Sequence, residues 1–421
     1  MPNRRRVVIT GLGLITPIGN NPEKFWQNLI RGQSGIGKID RFDVSTFPTQ
    51  IAAQVKDFDP ADYIPKKDAR RMDKFVQYAC AAAKSAWEDS GLSISAANAS
   101  RMGVWIGSGV GGLETLENQC FNYVNKGAAG ISPFLIPMMI PNMAAGQVAI
   151  MLGAMGPNGC TVTACASGTN SIGDALEIIR HGKADVMIAG GAESSISTIG
   201  IGGFCAMKAL STRNDELEKA CQPFDANRAG FVMGEGSGIV VLEELEHALA
   251  RKANIYAELV GYGYSGDAYH MVQPDEEGQG AGLAFKMALR DADIKPEVID
   301  YINAHGTGTK LNDKVETTVI KQVFGEYSKQ IPISSIKAAT GHMLGAAGAV
   351  ELIAALLAIK YNLIPPTLNY SEKDPDCDLD YVPNEARSKK VNYILSDSLG
   401  FGGHNAVLIA KEYPGGDSDG H

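Results

Sequence analysis

Hydrophobic positions along the chain alternate between short β-branched runs and longer stretches with helical spacing. RRVVIT predicts a first strand, and Asn21 and Pro22 open a helix because Asn caps a helix N-terminus and Pro suits its first turn. An Ala-rich helix is predicted from Lys74 to Ser90, with Gly91 as its stop. MGVWIGSG predicts the next strand. Alternation of this kind indicates an α/β fold.

The same alternation continues towards the C-terminus. After Cys165, apolar residues from Ile172 to Ile179 recur at i, i+3, i+4 and i+7, which predicts a helix. The elements predicted beyond it are the strands ADVMIAGG, IYAELVGYGYS, IDYINAH, IPISSI and AVLIA, the helix AGLAFKMALRDA, a helix from Asp313, and an apolar helix from Met343 to Ile359.

Two segments share one pattern. TVTACASGTNSIGDALEII and ISSIKAATGHMLGAAGAVELI each run from a strand through a small-residue turn with one reactive side chain into a helix. This faint repeat predicts two halves, 1–253 and 254–414, which share one core because no low-complexity linker separates them. The final GGDSDGH, 415–421, is interpreted as a disordered tail.

Composition excludes several classes of protein. The 421 residues include 38 Lys and Arg against 47 Asp and Glu, a net charge of −9, so a general nucleic-acid binder, which needs a basic face, is excluded. The seven Cys form no CxxC pair, which argues against a disulfide framework or a zinc site and favours a reducing cytosol. No transmembrane segment is predicted, since the longest apolar helix carries Glu351 at its middle and is shorter than the ~20 residues that span a bilayer.

The glycines at 107, 109 and 112 satisfy GxGxxG after a predicted strand, which is the pattern of a dinucleotide site. Such a site needs an acidic residue about 20 positions later to hold the ribose. No Asp or Glu lies between Glu117 and Asp174. We therefore interpret these glycines as a turn at which a ligand or another part of the chain approaches closely.

The candidate chemistry begins at Cys165, which lies among small residues between TVTA and the helix that follows. At a helix N-terminus the macrodipole and free N–H groups favour a thiolate, so this cysteine is predicted to be a nucleophile with a lowered pKa. Judged from its position alone, an inert buried cysteine is an equal alternative.

Two histidines and a lysine lie in related settings. His305 and His342 are flanked by glycines at the ends of elements, where each is either part of a common site or a structural residue. Lys337 comes from an apolar strand end and, if buried, needs a partner, for which Asp313 and Glu351 are candidates.

Four motifs in a fixed order connect these residues. They are TACASG around Cys165, NAHGTGT around His305, KAATGHMLGAAGAVE with Lys337, His342 and Glu351, and GFGGHN from Gly400 to Asn405. Over nearly its whole length the chain resembles the β-ketoacyl-acyl-carrier-protein synthases of the thiolase superfamily, in particular the type II elongating condensing enzymes of fatty-acid synthesis.

The resemblance implies a five-layered αβαβα thiolase-like fold of two pseudo-repeated halves, a homodimer, and decarboxylative Claisen condensation. Cys165, in the first half, would take the acyl chain from an acyl carrier protein, with its own N–H and that of Phe401 as the oxyanion hole. His305 and His342, in the second half, would hold the malonyl thioester oxygen and stabilise the enolate left by loss of CO2. No cofactor is expected and no metal is assigned.

The resemblance also implies supporting roles. Lys337, with Asp313 and Glu351, would form a buried charge network that orients the two histidines. Two threonines would bind the pantetheine arm, Phe401 would act as a gatekeeper, and three apolar residues would line the acyl pocket. These are Thr307 and Thr309 for the arm, and Val110, Phe204 and, from the partner subunit, Phe134 for the pocket.

Carrier-protein docking would use a local basic patch despite the net negative charge. The patch residues are Lys66, Lys67, Arg70, Arg71 and Lys208. A solvated charged face is the alternative interpretation. The family often has a second basic pair before ISPF, where this chain offers only Lys126.

The chain departs from the family pattern near SDSLGFGGHN. Asp397 and Leu399 stand where Asn and Phe are common, and His404 replaces a frequent Thr, as in some plastid-type members. Some relatives bind a monovalent or divalent cation near residues that match Asn303, Glu351 and Asp397. The protein is expected in the cytoplasm, or in a plastid stroma if a transit peptide has been removed.

Other kinds of protein share part of this pattern. A thiolase needs a second reactive Cys near its C-terminus, where this chain has Phe401 between glycines, and Cys377 lies in the wrong context. A cysteine hydrolase lacks an obvious Asn or Asp to orient its His. A non-catalytic partner subunit of the chain-length-factor type would keep the fold and lose the nucleophile, and Cys165 argues against it.

Overall fold

The structure is a computed structural model and describes residues 4–414, apart from the side chain of residue 218. The predicted tail, 415–421, lies outside the described residues. The strands are β1 (Val7–Ile15), β2 (Ile36–Lys38), β3 (Ile51–Ala53), β4 (Met102–Gly107), β5 (Asn158–Gly159), β6 (Val186–Glu193), β7 (Gly236–Glu244), β8 (Ala257–Gly266), β9 (Tyr301–Asn303), β10 (Ile333–Ser334), β11 (Leu363–Ile364), β12 (Arg387–Ser388), β13 (Tyr393–Gly400) and β14 (His404–Lys411).

The α-helices alternate with these strands, as the sequence pattern predicts. They are α1 (Pro22–Ile30), α2 (Lys66–Ala69), α3 (Lys74–Ser90), α4 (Leu113–Lys126), α5 (Leu135–Met139), α6 (Met143–Leu152), α7 (Ser167–Arg180), α8 (Thr198–Ala206), α9 (Leu245–Ala250), α10 (Gln279–Asp291), α11 (Lys310–Phe324), α12 (Lys337–Thr340) and α13 (Ala347–Tyr361). Two short 3-10 turns, Ala164–Ala166 and Leu344–Ala346, lead into α7 and α13.

Local sequence signals account for several of these boundaries. The Asn21 side chain accepts the Lys24 N–H at 2.8 Å and so caps α1. Helix α3 ends at Gly91, which has a φ of 64°, a conformation that glycine adopts without a steric penalty. Both boundaries confirm the predictions.

Several boundaries differ from the prediction, and two of them adjoin candidate site residues. Helix α11 begins at Lys310, three residues before the predicted start at Asp313, because Thr309 already has the extended backbone of an N-cap. The segment TVTA before Cys165 is not a strand, since β5 ends at Gly159. Strand β5 lies at the edge of the sheet and pairs with β4 through only two residues, so the chain leaves the ladder early.

The large sheet shows the internal repeat directly. Its strand order is β10-β9-β13-β14-β8-β1-β7-β6-β4-β5. From the centre outwards, each half has the same pairing: β1–β7 and β8–β14 are antiparallel, β7–β6 and β14–β13 are antiparallel, and the remaining pairs are parallel. Strands β1 and β8 join the halves through Val8↔Glu258 and Ile9↔Ala257.

The strands of the large sheet divide into two half-sheets, β1 with β4–β7 in the first half and β8–β10 with β13 and β14 in the second. Helices cover both faces of each half-sheet and complete five layers. Helix α3 packs outside β1, β6 and β7, and α10 packs outside β8 and β14 with α11 beside it. Helices α7 and α13 pack against each other and lie between the two half-sheets. This arrangement confirms the expected αβαβα fold and buries the helices that follow the two 3-10 turns.

The central helix explains one apolar segment of the sequence. Leu344–Tyr361 is long and apolar enough to cross a membrane, but 89% of that window is buried inside the fold. Neighbours on every side, including the strands of both half-sheets, contact it. It is therefore the core helix of this fold, in agreement with the prediction that it is not a transmembrane segment.

Candidate active site

Cys165 lies at the centre of the Ala164–Ala166 turn, just before α7. Its side chain is 6% exposed, and its Sγ lies 3.0 Å from Nε2 of His342. The backbone N–H of Phe401 is directed at the same sulfur. Ala164 has a φ of 50°, which is unfavourable for a residue with a Cβ and is the kind of local strain found at functional turns. The turn thus presents one thiol to the groups around it.

The protonation state of Cys165 differs from the sequence-based prediction. Burial raises the pKa of the Cys165 thiol to about 12, although Lys337 and the Phe401 N–H act in the opposite direction. The prediction of a lowered pKa was wrong because it considered only the helix N-terminus and not the removal of water. The resting group is therefore a thiol rather than a thiolate.

The two histidines face each other beside this thiol. Their ring centroids are 5.2 Å apart, and the planes are nearly perpendicular at 85°. Burial lowers the pKa of both imidazoles well below the ordinary value, and the positive charge of Lys337 lowers it further. Both are therefore neutral near pH 7, the state in which an imidazole presents one N–H and one acceptor nitrogen.

Lys337 connects these rings to the core. It is fully buried at the start of α12, and its ammonium pairs with the Glu351 carboxylate and donates to the backbone carbonyl of His305. The same Nζ lies 3.4 Å from Nδ1 of His305. An ammonium has no acceptor, so Nδ1 of His305 is the unprotonated nitrogen and Nε2 carries the hydrogen. Lys337 thereby selects the tautomer of His305.

Asp313 does not join this network, which corrects the sequence-based expectation. Its carboxylate accepts the backbone N–H groups of Phe224 at 2.8 Å, of Thr307 at 3.1 Å and of Gly308 at 3.2 Å. Its place near the histidines is taken by Glu316, one helical turn further along α11, which accepts the N–H groups of His305 at 2.6 Å and Gly306 at 2.8 Å. Asp313 and Glu316 together hold the loop that follows β9.

Sequence reasoning missed Glu316, although its i+3 spacing from Asp313 on one helix face was a usable signal. It also missed Phe231, whose ring packs edge-on against His342 at 5.1 Å and against Phe204 at 5.6 Å. A buried phenylalanine in a long loop gives no distinguishing pattern in the sequence.

Buried carboxyl oxygens near Lys337 lack hydrogen-bond donors among residues 4–414. They are Oε2 of Glu351 and both oxygens of Asp397, and Oδ1 of Asn303 is in the same position. Burial raises the pKa of Asp397 to about 7 and raises that of the neighbouring Glu316 well above its usual value. Oxygen acceptors of this kind are the ligands that a hard cation prefers, so the cation that the sequence resemblance implies near these residues stays a prediction.

One cavity of about 400 Å³ opens onto the reactive groups. Its lining includes Cys165, both histidines, Thr307, Thr309, Phe204, Phe401 and Lys208. The two threonine hydroxyls are 2.9 Å apart. Val110 and Phe134 do not line it and are partly exposed, at 41% and 38%. The structure therefore brings most of the predicted site together within one chain. Val110 lies outside this cavity, and the role of Phe134, which is expected from the partner subunit, stays a prediction.

The predicted docking residues are all on the surface. Lys66, Lys67, Arg70 and Arg71 lie on or directly after α2, and Lys208 is exposed at the cavity. The guanidinium of Arg71 covers the ring of Phe134 at 4.7 Å. A cation–π contact of this kind connects the basic patch to a predicted acyl-pocket residue.

Replacing Lys337 by Met should lower the free energy of unfolding by about 3–5 kcal/mol, because Glu351 would stay buried without its partner. The double variant Lys337→Met/Glu351→Met should recover most of that loss, since no buried charge is left. Chemical denaturation of the two single variants and the double variant measures the coupling. Additive losses would show that the pair is not the source of the effect.

The neutral histidines predict a pH dependence of stability. In the unfolded chain each His binds a proton below about pH 6.5, whereas in the folded protein it does not, so acid destabilises the fold through each imidazole. Between pH 6.5 and 5.5 the wild type should lose about 1 kcal/mol more than His342→Asn. Parallel denaturation curves of the two proteins over this range would contradict the lowered pKa of His342.

Comparison with known proteins agrees with this geometry. The β-ketoacyl synthase N-terminal domain model matches residues 4–248, and the C-terminal domain model matches 256–371. The chain is 52% identical over 413 residues to a Staphylococcus aureus 3-oxoacyl-[acyl-carrier-protein] synthase 2, covering 98% of this chain and all of the relative. It is 53% identical over 406 residues to the Coxiella burnetii protein of the same name, covering 96% and 98%.

Solved structures show the same relationship. A β-ketoacyl synthase from Burkholderia phymatum superposes with a TM-score of 0.90 at 38% identity, covering 97% of this chain and all of that one. A type II polyketide ketosynthase, solved in complex with its acyl-carrier protein, superposes with a TM-score of 0.91 at 37% identity, covering 98% and 100%. Relatives named as synthases support a synthase over the chain-length-factor alternative. The chain belongs to the β-ketoacyl synthase family, whose members have the thiolase fold and are acyltransferases that condense acyl chains.

Proposed function

We propose that the Cys165 site carries out the 3-oxoacyl-acyl-carrier-protein synthase reaction in two half-reactions. The observation that carries this assignment is a thiol in contact with one of two neutral imidazoles, all three in a single cavity. A hydrolase needs one His as a general base, whereas two neutral imidazoles beside an acylated Cys can donate two hydrogen bonds to one enolate oxygen.

In the first half-reaction the acyl chain moves to Cys165. The thiol passes its proton to Nε2 of His342, 3.0 Å away, as the sulfur attacks the thioester carbonyl. The N–H groups of Cys165 and Phe401 are the proposed donors to the oxyanion that forms. Collapse expels the carrier-protein thiolate, which takes the proton back from His342.

In the second half-reaction, malonyl thioester replaces the released carrier protein. Because Nε2 of His342 is the acceptor in the first half-reaction, its ring proton must move from Nδ1 to Nε2 by exchange with solvent between the two half-reactions. Nε2–H of His305 and Nε2–H of His342 then donate to the malonyl carbonyl oxygen, on which negative charge develops as CO2 leaves. The resulting enolate carbon attacks the acyl carbon on Cys165 and expels the thiolate of Cys165. A proton from solvent restores the thiol, and the product is an acyl chain longer by two carbons. Lys337, which fixes the tautomer of His305, is the proposed positioning residue for this step.

Supporting residues have proposed roles that follow from their positions. Thr307 and Thr309 line the cavity and are the proposed contacts of the pantetheine arm. Phe401 separates Gly400 from Gly402, which has a φ of 84°, and is the proposed gate between acyl and malonyl entry. Phe204 lines the cavity and is the proposed wall of the acyl pocket. Val110 and the partner's Phe134 are proposed to extend that pocket beyond the cavity of the single chain. Asp313 is proposed to hold in place the loop that contains Thr307 and Thr309.

Acyl carrier protein is the proposed partner. The polyketide relative is solved with its acyl-carrier protein, and this chain exposes the basic residues Lys66, Lys67, Arg70, Arg71 and Lys208, which suit an acidic partner. We propose that the reaction takes place in the cytoplasm, where free thiols such as Cys165 stay reduced. The bacterial relatives offer no support for a plastid location.

A homodimer is proposed from the surface around strand β5. This strand is at the edge of the sheet and leaves backbone groups available to a second chain. The segment around it exposes Ile150 at 73%, Met155 at 78% and Val162 at 52%. Large apolar side chains that stay exposed on both sides of an open strand edge indicate a protein interface. A second copy at this face would also place Phe134 near another subunit, as its proposed pocket role requires.

Single substitutions at the site should separate the two half-reactions. Cys165→Ala should abolish transfer of a palmitoyl group from its carrier protein while the fold is kept. His305→Ala should still form the acyl-enzyme, detected by intact mass, but should lose elongation by a factor on the order of 10² or more, because one enolate donor is missing. An acyl mass that fails to form in His305→Ala, or elongation by Cys165→Ala, would contradict these assignments.

Charge placed on the β5 face should dissociate the proposed dimer. Met155→Glu combined with Ile150→Glu should shift the sedimentation mass from twice that of the chain to that of one chain, because two carboxylates per subunit would be buried in an apolar interface. The matched control is Leu249→Glu on α9, where the leucine is 45% exposed, and this variant should stay dimeric. A wild-type protein that sediments as an active monomer would contradict the proposal.

A further inference from the structure

Glu193 is a buried acidic residue that the proposed mechanism does not use. It is the last residue of β6 and is fully buried. Its carboxylate accepts four hydrogen bonds, from Ser108 Oγ at 3.0 Å, Val110 N at 3.3 Å, Gly109 N at 2.7 Å and Gly345 N at 3.1 Å. Four converging hydrogen-bond donors are typical of an anion-binding site. Here the bound anion is the carboxylate of Glu193 itself.

The internal repeat has an equivalent position in the other half, and that position has no carboxylate. Glu193 ends β6, and Gly400 ends β13 at the equivalent place in the other half. The turns before α7 and α13 correspond in the same way, with Cys165 and Gly345 at their centres. A Cβ at Gly400 would lie 3.3 Å from the Cys165 nitrogen, so glycine leaves that N–H uncovered. In the second turn, the Gly345 N–H is covered by the Glu193 carboxylate instead.

The Leu344–Ala346 turn, in which the Gly345 N–H donates to Glu193, comes directly after the segment with His342. This residue lies three positions before Gly345, and a Cβ at Gly345 would lie only 2.3 Å from the nitrogen of Gly109. A Cβ at Gly109 would in turn lie 3.3 Å from the carbonyl oxygen of Ala164, which precedes the nucleophile. Glu193 therefore holds together the loop beside Cys165 and the turn beside His342, since its Oε2 accepts a hydrogen bond from each.

We propose that Glu193 is a positioning residue that fixes the distance between Cys165 and His342 by clamping the Gly109 loop to the Gly345 turn. The proposal rests on the proposed role of His342 as the proton acceptor and enolate donor. Gln cannot replace Glu here without loss, because its amide nitrogen is a donor and would face at least one of the N–H groups whichever way the side chain lies.

The charge of Glu193 gives a second, separate effect. Its carboxylate adds to the burial that raises the pKa of the Cys165 thiol. Removing the charge should therefore increase the thiolate fraction of Cys165 at a given pH, while loss of the clamp should slow catalysis. The two effects have opposite signs, and they are distinguished from a general loss of structure by the buried Cys80, which must stay as protected from alkylation as in the wild type.

The test compares Glu193→Gln and Glu193→Asp with the control Glu243→Gln. Glu243 is also a fully buried strand residue, but it binds Thr10, His247 and Arg251, away from the site. Two quantities are measured: kcat and KM for elongation of palmitoyl carrier protein, and the rate of iodoacetamide alkylation of the Cys165 peptide at pH 8. Alkylation of the exposed Cys120 peptide serves as the internal standard.

For Glu193→Gln we expect kcat to fall by about 10- to 100-fold, with KM within about threefold, because the reacting groups are misplaced after binding. Alkylation of Cys165 should become faster by about threefold or more relative to Cys120. Glu193→Asp keeps the charge but cannot reach all four donors, so its kcat should fall while its alkylation rate stays near that of the wild type. Glu243→Gln should change neither quantity.

A Glu193→Gln protein with wild-type kcat, or one in which alkylation and kcat fall together, would overturn the proposal. If Glu193→Gln does not fold, Glu193→Asp decides, and wild-type kcat in that variant would overturn it. A wild-type enzyme that does not elongate would instead refute the proposed function. Alkylation needs no carrier protein, so the two failures are distinguishable.

Discussion

Removal of water from the Cys165 cluster is the constraint on which the rest of the site depends. Burial raises the pKa of the thiol to about 12 and lowers that of both imidazoles, so the three reacting groups are neutral at rest. Neutral imidazoles can donate hydrogen bonds to a developing enolate at little cost in reorganisation. In water the same groups would be partly charged and solvated, and the enolate would compete with solvent for its donors.

The two repeated halves of the fold explain how these buried reactive groups come together. The first half contributes Cys165 on the turn before α7, and the second half contributes His305 after β9 and His342 before α13. Because α7 and α13 pack together between the half-sheets, the two turns meet at the centre of the molecule. Gly400 and Glu193 occupy equivalent positions in the two halves but have different roles. Gly400 leaves the backbone N–H of Cys165 uncovered, whereas Glu193 accepts the equivalent N–H, that of Gly345.

Much of this was predictable from the sequence, but for unequal reasons. Capping residues and apolar spacing predicted α1 and α3 because those signals act within a few residues. The ordered motifs predicted that Cys165, His305, His342 and Lys337 share a site, and the structure brings them together. Whether Cys165 is a thiol or a thiolate depends on how much water the whole fold removes, and no local pattern contains that information.

The role of acidic residues was the hardest part to predict. Asp313 and Glu316 stand on the same face of α11, yet Asp313 serves the threonine loop and Glu316 serves His305. Glu193 follows an apolar strand and gave no sign that donors from two distant segments, Ser108–Val110 and Gly345, converge on it. Such partners are set by tertiary packing, which spacing along the chain does not encode.

The measurement that tests this account most directly is the protonation of His305 and His342. The protein is prepared with ¹⁵N-labelled histidine, and His305→Asn and His342→Asn assign the two signals. We predict that both rings show the shifts of neutral imidazole from pH 8 down to pH 6, with Nε2 of His305 protonated. An imidazolium signal from His342 near pH 7 that disappears in Cys165→Ala would instead show a thiolate–imidazolium pair at rest and contradict the account.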